Sequence, residues 1–154
     1  MSVGYRFLQS EGVGYPLGWY ADATGHVNRL ISIVGDVGGA YKSDSLSFGT
    51  FTQSYDARIH TFMGGVKVNA TTRQPEVIAF GQALFGAAHA RTTTTSGGTT
   101  ISRSATEPVL NLSAGVDVEG DLPVGLRFQL GWLRVFEDNG SNIFQFSIGG
   151  KFRF

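Results

Sequence analysis

Three histidines, His26, His60 and His89, are the side chains here with acid–base chemistry to offer near neutral pH. His60 stands four residues after Asp56 with hydroxyls nearby, and a histidine set between an acid and a hydroxyl is the start of a hydrolytic site. Such a site requires base, nucleophile and substrate to meet within hydrogen-bond reach. His60 shares its strand parity with Asp56 and Arg58, the side assigned below to a filled interior. No group of His, Asp and Glu has metal-ligand spacing, and the absence of cysteine removes thiol catalysis, thiolate metal sites and disulfides. The glycines of GDVGGA and GVGYPLG precede no helix that could cradle a phosphate. These residues therefore predict a protein that is not an enzyme and carries no metal or cofactor.

What the remaining charges can do is pair, and alternation decides which of them meet. Eight stretches have period-two character, the pattern of strands with one oily and one wet face. Val3 to Gln9 sets Val3, Tyr5 and Phe7 against Gly4, Arg6 and Leu8. Leu17 to Thr24 puts Asp22 opposite Leu17 and Trp19, and Leu30 to Lys42 puts Asp36 opposite Ile31 and Ile33. Tyr55 to Val68 carries Asp56, Arg58 and His60 on one parity and Ile59, Thr61 and Met63 on the other, with Lys67 on the apolar side near the strand end. Val77 to Arg91 mixes Phe80 and Leu84 with Gln82, and Phe85 with His89 and Arg91, so its faces stay open. Glu107 to Val118 and Val124 to Phe136 recover the alternation, with Asp117, Arg127 and Gln129 on the wet parity. The last stretch, IFQFSIGGKFRF, places Phe144, Phe146, Ile148, Phe152 and Phe154 on one side and Gln145, Ser147, Lys151 and Arg153 on the other.

The wet parity thus collects Arg6, Asp22, Asp36, Arg58, His60, Asp117, Arg127, Gln129 and Lys151, acids and bases in near balance. Charges withdrawn from water need partners, and Asp117 with Arg127 across the short turn at 119–123 is the first pair expected.

Composition says what surrounds these strands. The 154 residues show no linker, so residues 1–154 read as one domain, and no run of about 18 apolar residues could cross a bilayer as a helix. With 22 glycines, 12 Phe, 5 Tyr and 2 Trp but only 16% charged residues, the chain is poor in the charge that solubilises ordinary domains. Zero formal net charge, from 12 basic and 12 acidic residues, argues against nucleic acid as a partner. No secretory leader precedes Ser2, which is read as a mature domain restarted with Met.

Connections alternate between segments near 10–16, 43–54, 92–106 and 137–142 and shorter ones near 25–29, 69–76 and 119–123, the asymmetry of extracellular loops and periplasmic turns. Tyr15, Trp19, Tyr41, Tyr55, Trp132, Phe136 and Phe144 fall at loop-side strand ends, and Tyr5, Phe80, Phe152 and Phe154 towards the turns, which predicts two aromatic girdles. The Thr/Ser-rich stretch from Arg91 to Thr106 is either a loop or a strand pair standing beyond a membrane.

The final strand also resembles the closing strand of outer-membrane barrels, in which a polar residue, a glycine, a hydrophobic residue and a terminal aromatic occupy set places; here these are Ser147, Gly149, Phe152 and Phe154. With RLISIVGDVGGAYKS, HTFMGGVKV and FGQALFGAA, nearly the whole chain resembles the small barrels of the OmpA, OmpX and Ail type, often labelled porin-like. That resemblance implies an all-β, eight-stranded antiparallel up-and-down transmembrane β-barrel in the outer membrane of a Gram-negative bacterium. It implies outer-membrane lipids as surroundings, the barrel-assembly machinery as partner during insertion, and a monomer. It implies no substrate, since one barrel fold serves many roles; a peptidoglycan-binding module after the barrel is not expected. The role expected is structural or surface-interacting, around a polar interior filled by side chains. A narrow, weakly conducting channel is the alternative. Lipid A hydrolysis would need His60 or His89 to face lipid beside Ser or Thr, and a soluble lipocalin-like binder would need the oily parity inside.

Overall fold

The structure is a computed structural model that describes residues 1–10, 13–15, 17–48, 51–70, 76–119, 123–136 and 140–152. Nine strands follow in chain order: β1 (Ser2–Ser10), β2 (Val13–Tyr15), β3 (Leu17–His26), β4 (Ile31–Phe48), β5 (Phe51–Asn69), β6 (Val77–Ser96), β7 (Thr99–Val118), β8 (Val124–Val135) and β9 (Ser141–Phe152). Among the described residues the three-residue β2 pairs only with β1, and the other eight form one antiparallel sheet in which each strand bonds its sequence neighbour. Nine registered pairs from Ser2↔Lys151 to Ser10↔Ile143 join β1 to β9 and close the sheet into a barrel. The Met1 amine and carbonyl both bond Phe152, which fastens the seam at its turn-side end. Closure matters because an open sheet edge cannot be satisfied in hydrocarbon.

Local chemistry sets the connections. Asn28 Oδ1 accepts from the backbone N–H of Leu30 and Ile31, each at 2.8 Å, and so turns β3 into β4. Between β6 and β7, Gly97 and Gly98 take φ of +57° and +83°, the paired positive values that a two-residue hairpin turn needs. The Thr/Ser-rich stretch is therefore a strand pair: Arg91↔Ser104 through Ser96↔Thr99 are in register. The segment near 43–54 is also strand, with β4 and β5 paired up to Phe48↔Phe51. Strands β4 to β7 are 18 to 20 residues long. A tilted span of the hydrocarbon layer takes only about 9–11 residues. Four bonded strands thus project from the loop end as a sheet.

Burial alternates along the strands, and the apolar residues face out. Ile33 and Phe62 are each 60% exposed, Phe144 65% and Leu130 66%. A soluble barrel would reverse this, with wet residues outside and oily ones within. The alternation also fixes the faces of Val77 to Arg91: Phe80, Gln82, Leu84 and Ala88 point inward, and Phe85 outward.

Candidate functional site

Inward positions place an ion-pair network in the turn-side half of the lumen. Arg127, 1% exposed, donates from Nε to Asp117 Oδ1 at 2.6 Å and from Nη2 to Oδ2 at 2.9 Å. Its Nη1 donates to Asp22 Oδ2 and Ser2 Oγ, each at 2.7 Å, and Ser2 in turn donates to Asp22. Asp117 Oδ2 also accepts from Lys67 Nζ at 3.2 Å and Lys151 Nζ at 2.9 Å, and Lys151 pairs with Glu119 as well. Phe80 slides its ring beneath two of these cations, 4.0 Å from Lys67 Nζ and 4.8 Å from Arg127 Cζ. Slightly apart, Arg6 grips both oxygens of Asp36 at 3.0 and 2.7 Å, reaches Ser147 Oγ at 3.4 Å, and covers the Tyr20 ring. Gln129 donates to Ser113 at 3.0 Å. Among the described residues, four cations and four carboxylates take part, drawn from opposite walls of the barrel, so the network spans the lumen.

Several expectations require correction. Arg58 and His60 do not lie in the lumen; they point outward, because β5 presents Ala57, Ile59, Thr61, Met63 and Lys67 to the interior. Charge marks water, and on β5 the water touched by Asp56, Arg58 and His60 lies outside the barrel near its loop end. Lys67, expected on the apolar side, is 2% exposed and inside. Phe80 is interior and Tyr55 shares the inward parity of β5, so neither belongs to a girdle. Nor is the whole interior polar. Its loop-side half is lined by Leu8, Ala40, Met63, Ala88, Leu133 and Ile143.

Outside, Tyr5, Trp19, Tyr41, Trp132, Phe136 and Phe144 lie on or at the outer surface. The Tyr15 side chain and Phe154 lie outside the described residues. Trp19 Nε1 donates to Tyr41 Oη at 3.4 Å, and Tyr41 Oη meets His60 Nε2 at 3.2 Å with the rings edge to face. Gly39 makes room, since a Cβ there would sit 2.7 Å from the Trp19 indole nitrogen. Arg58 and Arg91 are directly opposite one another, as are His60 and His89. His89 Nδ1 lies 2.8 Å from Thr106 Oγ1. This is the histidine–hydroxyl pair that hydrolysis would need, but no ion pair or hydrogen bond to a carboxylate orients His89 among the described residues.

In the last strand, Ser147 is fully buried against Arg6, and Gly149 faces Gly4 across the seam. A Cβ on Gly149 would run into the Val3 carbonyl and lie 2.6 Å from Tyr20 Oη. Both residues thus have packing duties in the barrel itself. Sequence reasoning missed Ser2, Lys67 and Phe80 as lumen residues. A serine beside the start of a strand and an apolar ring carry no local signal of facing a guanidinium.

A closed barrel of eight antiparallel strands, apolar without and ion-paired within, with short turns at one end and long strands at the other, defines the class: it is the fold of the small eight-stranded outer-membrane β-barrels. Solved structures of two such proteins superpose on nearly the whole chain. Ail, the attachment invasion locus protein of Yersinia pestis, solved with the heparin analogue sucrose octasulfate, matches at TM-score 0.68 and 19% identity over 99% of this chain and 96% of that one. Neisserial surface protein A (NspA) matches at TM-score 0.71 and 14% identity over 99% and 94%. Ail in a phospholipid bilayer nanodisc matches at TM-score 0.53 and 19% identity over 99% and 97%. No protein-family model matches the chain, and no curated protein does.

Proposed function

We propose that this chain is a monomeric outer-membrane barrel of a Gram-negative bacterium, inserted by the barrel-assembly machinery through its last strand, whose role is contact at the cell surface. The observation that carries this reading is the four-stranded sheet of β4 to β7, which stands beyond the span with Arg58 and Arg91 side by side on its outer face. Like charges directly opposite on a sheet repel, and an anion bridging them removes that cost. Sulfate and phosphate groups are the ligands that guanidinium pairs suit. The complex of Ail with a heparin analogue makes a sulfated glycan the surface ligand to try first. A conducting role is opposed by the ion pairs that cross the lumen.

The test is retention of the refolded barrel on immobilised heparin, compared with an Arg58→Ser, Arg91→Ser double variant. Salt-sensitive retention that the double variant loses supports the reading. Equal retention of both proteins, or of neither, removes the arginine pair from it.

A further inference from the structure

We propose that the loop-side half of the lumen is a blind cup that takes a single medium-length aliphatic chain with an uncharged end. A cavity of about 340 Å³ occupies this half, walled by Leu8, Ile59, Met63, Leu133, Val135 and Ile143. That is unusual, because an eight-stranded barrel is only just wide enough for its side chains to fill. The space exists because small residues, Gly38, Ala40, Ala88 and Ala90, stand where larger ones would close it. Apolar walls hold water poorly, and a cavity of this kind accepts apolar guests instead. The volume lies at the low end of the range of about 300–1,000 Å³ for small-molecule sites, which suits one chain rather than a two-chain lipid.

The ends of the cup define the guest further. Its floor is the Arg6–Asp36 ion pair, so a molecule entering from the loop end cannot pass through. Glu107 and Tyr55 stand at the mouth, and the carboxylate there disfavours an anionic guest. In the wall, Gln145 is 4% exposed and its Nε2 has no hydrogen-bond partner among the described residues. Gly131 leaves room for that amide, since a Cβ there would lie 2.5 Å from Nε2. That nitrogen is occluded within the wall, so the guest meets apolar side chains on this side.

The experiment uses the barrel in nanodiscs of deuterated phospholipid, free of detergent, with 13C-labelled Met and Ile methyl groups and 1-decanol as probe. Saturable shifts of Met63, Ile59 and Ile143, with cross-relaxation from the decanol chain, are expected. Ala88→Phe should abolish the shifts, and an Ala40→Leu, Ala90→Leu double variant serves if Ala88→Phe does not fold. Shifts confined to outward methyls such as Ile33 mean that decanol only enters the bilayer, and that overturns the proposal. So do interior shifts that survive filling the cup.

Discussion

Lys67 on β5 reaches over the intervening strand β6 to place its Nζ 3.2 Å from Asp117 Oδ2 on β7, with the Phe80 ring of β6 beneath it. Asp117 is fully buried and accepts from three cations, whereas Lys67 is one donor among them. Their removal should therefore differ. Asp117→Asn leaves Arg127, Lys67 and Lys151 without their shared counter-charge, and breaking a buried ionic group from one side costs about 3–5 kcal/mol. Lys67→Met leaves Asp117 neutralised by Arg127 and Lys151 and keeps an apolar stem over Phe80, so it should cost less than half as much. Urea unfolding of the two variants in phospholipid vesicles checks the order; equal losses would mean that Asp117 is not the centre of the network.

The faces of β5 make a second prediction by depth. Phe62 is outward and 60% exposed within the apolar band, while Arg58 is outward four residues, two periods of the alternation, nearer the loops. Phe62→Arg should lower stability by about 2–4 kcal/mol, as for a charge on the lipid face near the midplane, whereas Arg58→Ala should change it by less than about 0.5 kcal/mol. The same vesicle titration reads both. A large loss for Arg58→Ala would put that guanidinium in the lumen after all.

This β5 result shows where the sequence is legible and where it stops. Strand positions, the outward band and the closing strand are local patterns of period two, and Phe144, Phe146 and Ile148 opposite Gln145 and Ser147 display them without any neighbour. Parity alone does not say which face is the lumen when charge occurs on both sides of the wall. Arg6 and Arg58 look alike in sequence, yet one pairs with Asp36 inside and the other lies outside beside Arg91. Phe80 and Leu84 hide the faces of β6 because the lumen itself contains an aromatic platform and an apolar cup. The length of β6 and β7 was unreadable for another reason. Threonine and serine occur in strands and loops alike, and the backbone register from Arg91↔Ser104 to Ser96↔Thr99 settles it, with the hydroxyl oxygens of Thr93–Ser102 and Thr95–Thr100 3.3 and 3.2 Å apart across the strands.

The projecting hairpin should be separable from the barrel. Gly98 has φ of +83°, and forcing a residue with a Cβ into the left-handed region costs about 1–2 kcal/mol. Gly98→Val should fray the tip, raising amide hydrogen exchange from Thr93 to Ser102 severalfold, while the urea midpoint of the barrel stays unchanged. A fall in that midpoint would show that the sheet beyond the rim is part of the cooperative unit.

The closing strand offers a way to part packing from recognition. Gly149 sits against the Val3 carbonyl and Tyr20 Oη at the seam, so Gly149→Val should cost about 1–3 kcal/mol of overpacking and slow refolding of the purified chain into vesicles. Phe152 is half-buried at the end of β9 and packs near Gly150, so its loss removes little from the folded barrel. If it is read by the assembly machinery, Phe152→Ala should refold in vitro with stability within about 0.5 kcal/mol of the parent, yet reach the outer membrane of cells poorly. The pair of measurements is unboiled against boiled gel mobility for the vesicle-refolded proteins and for membranes from expressing cells. Normal insertion of Phe152→Ala in cells would leave β9 with a packing role and no part in recognition through this ring.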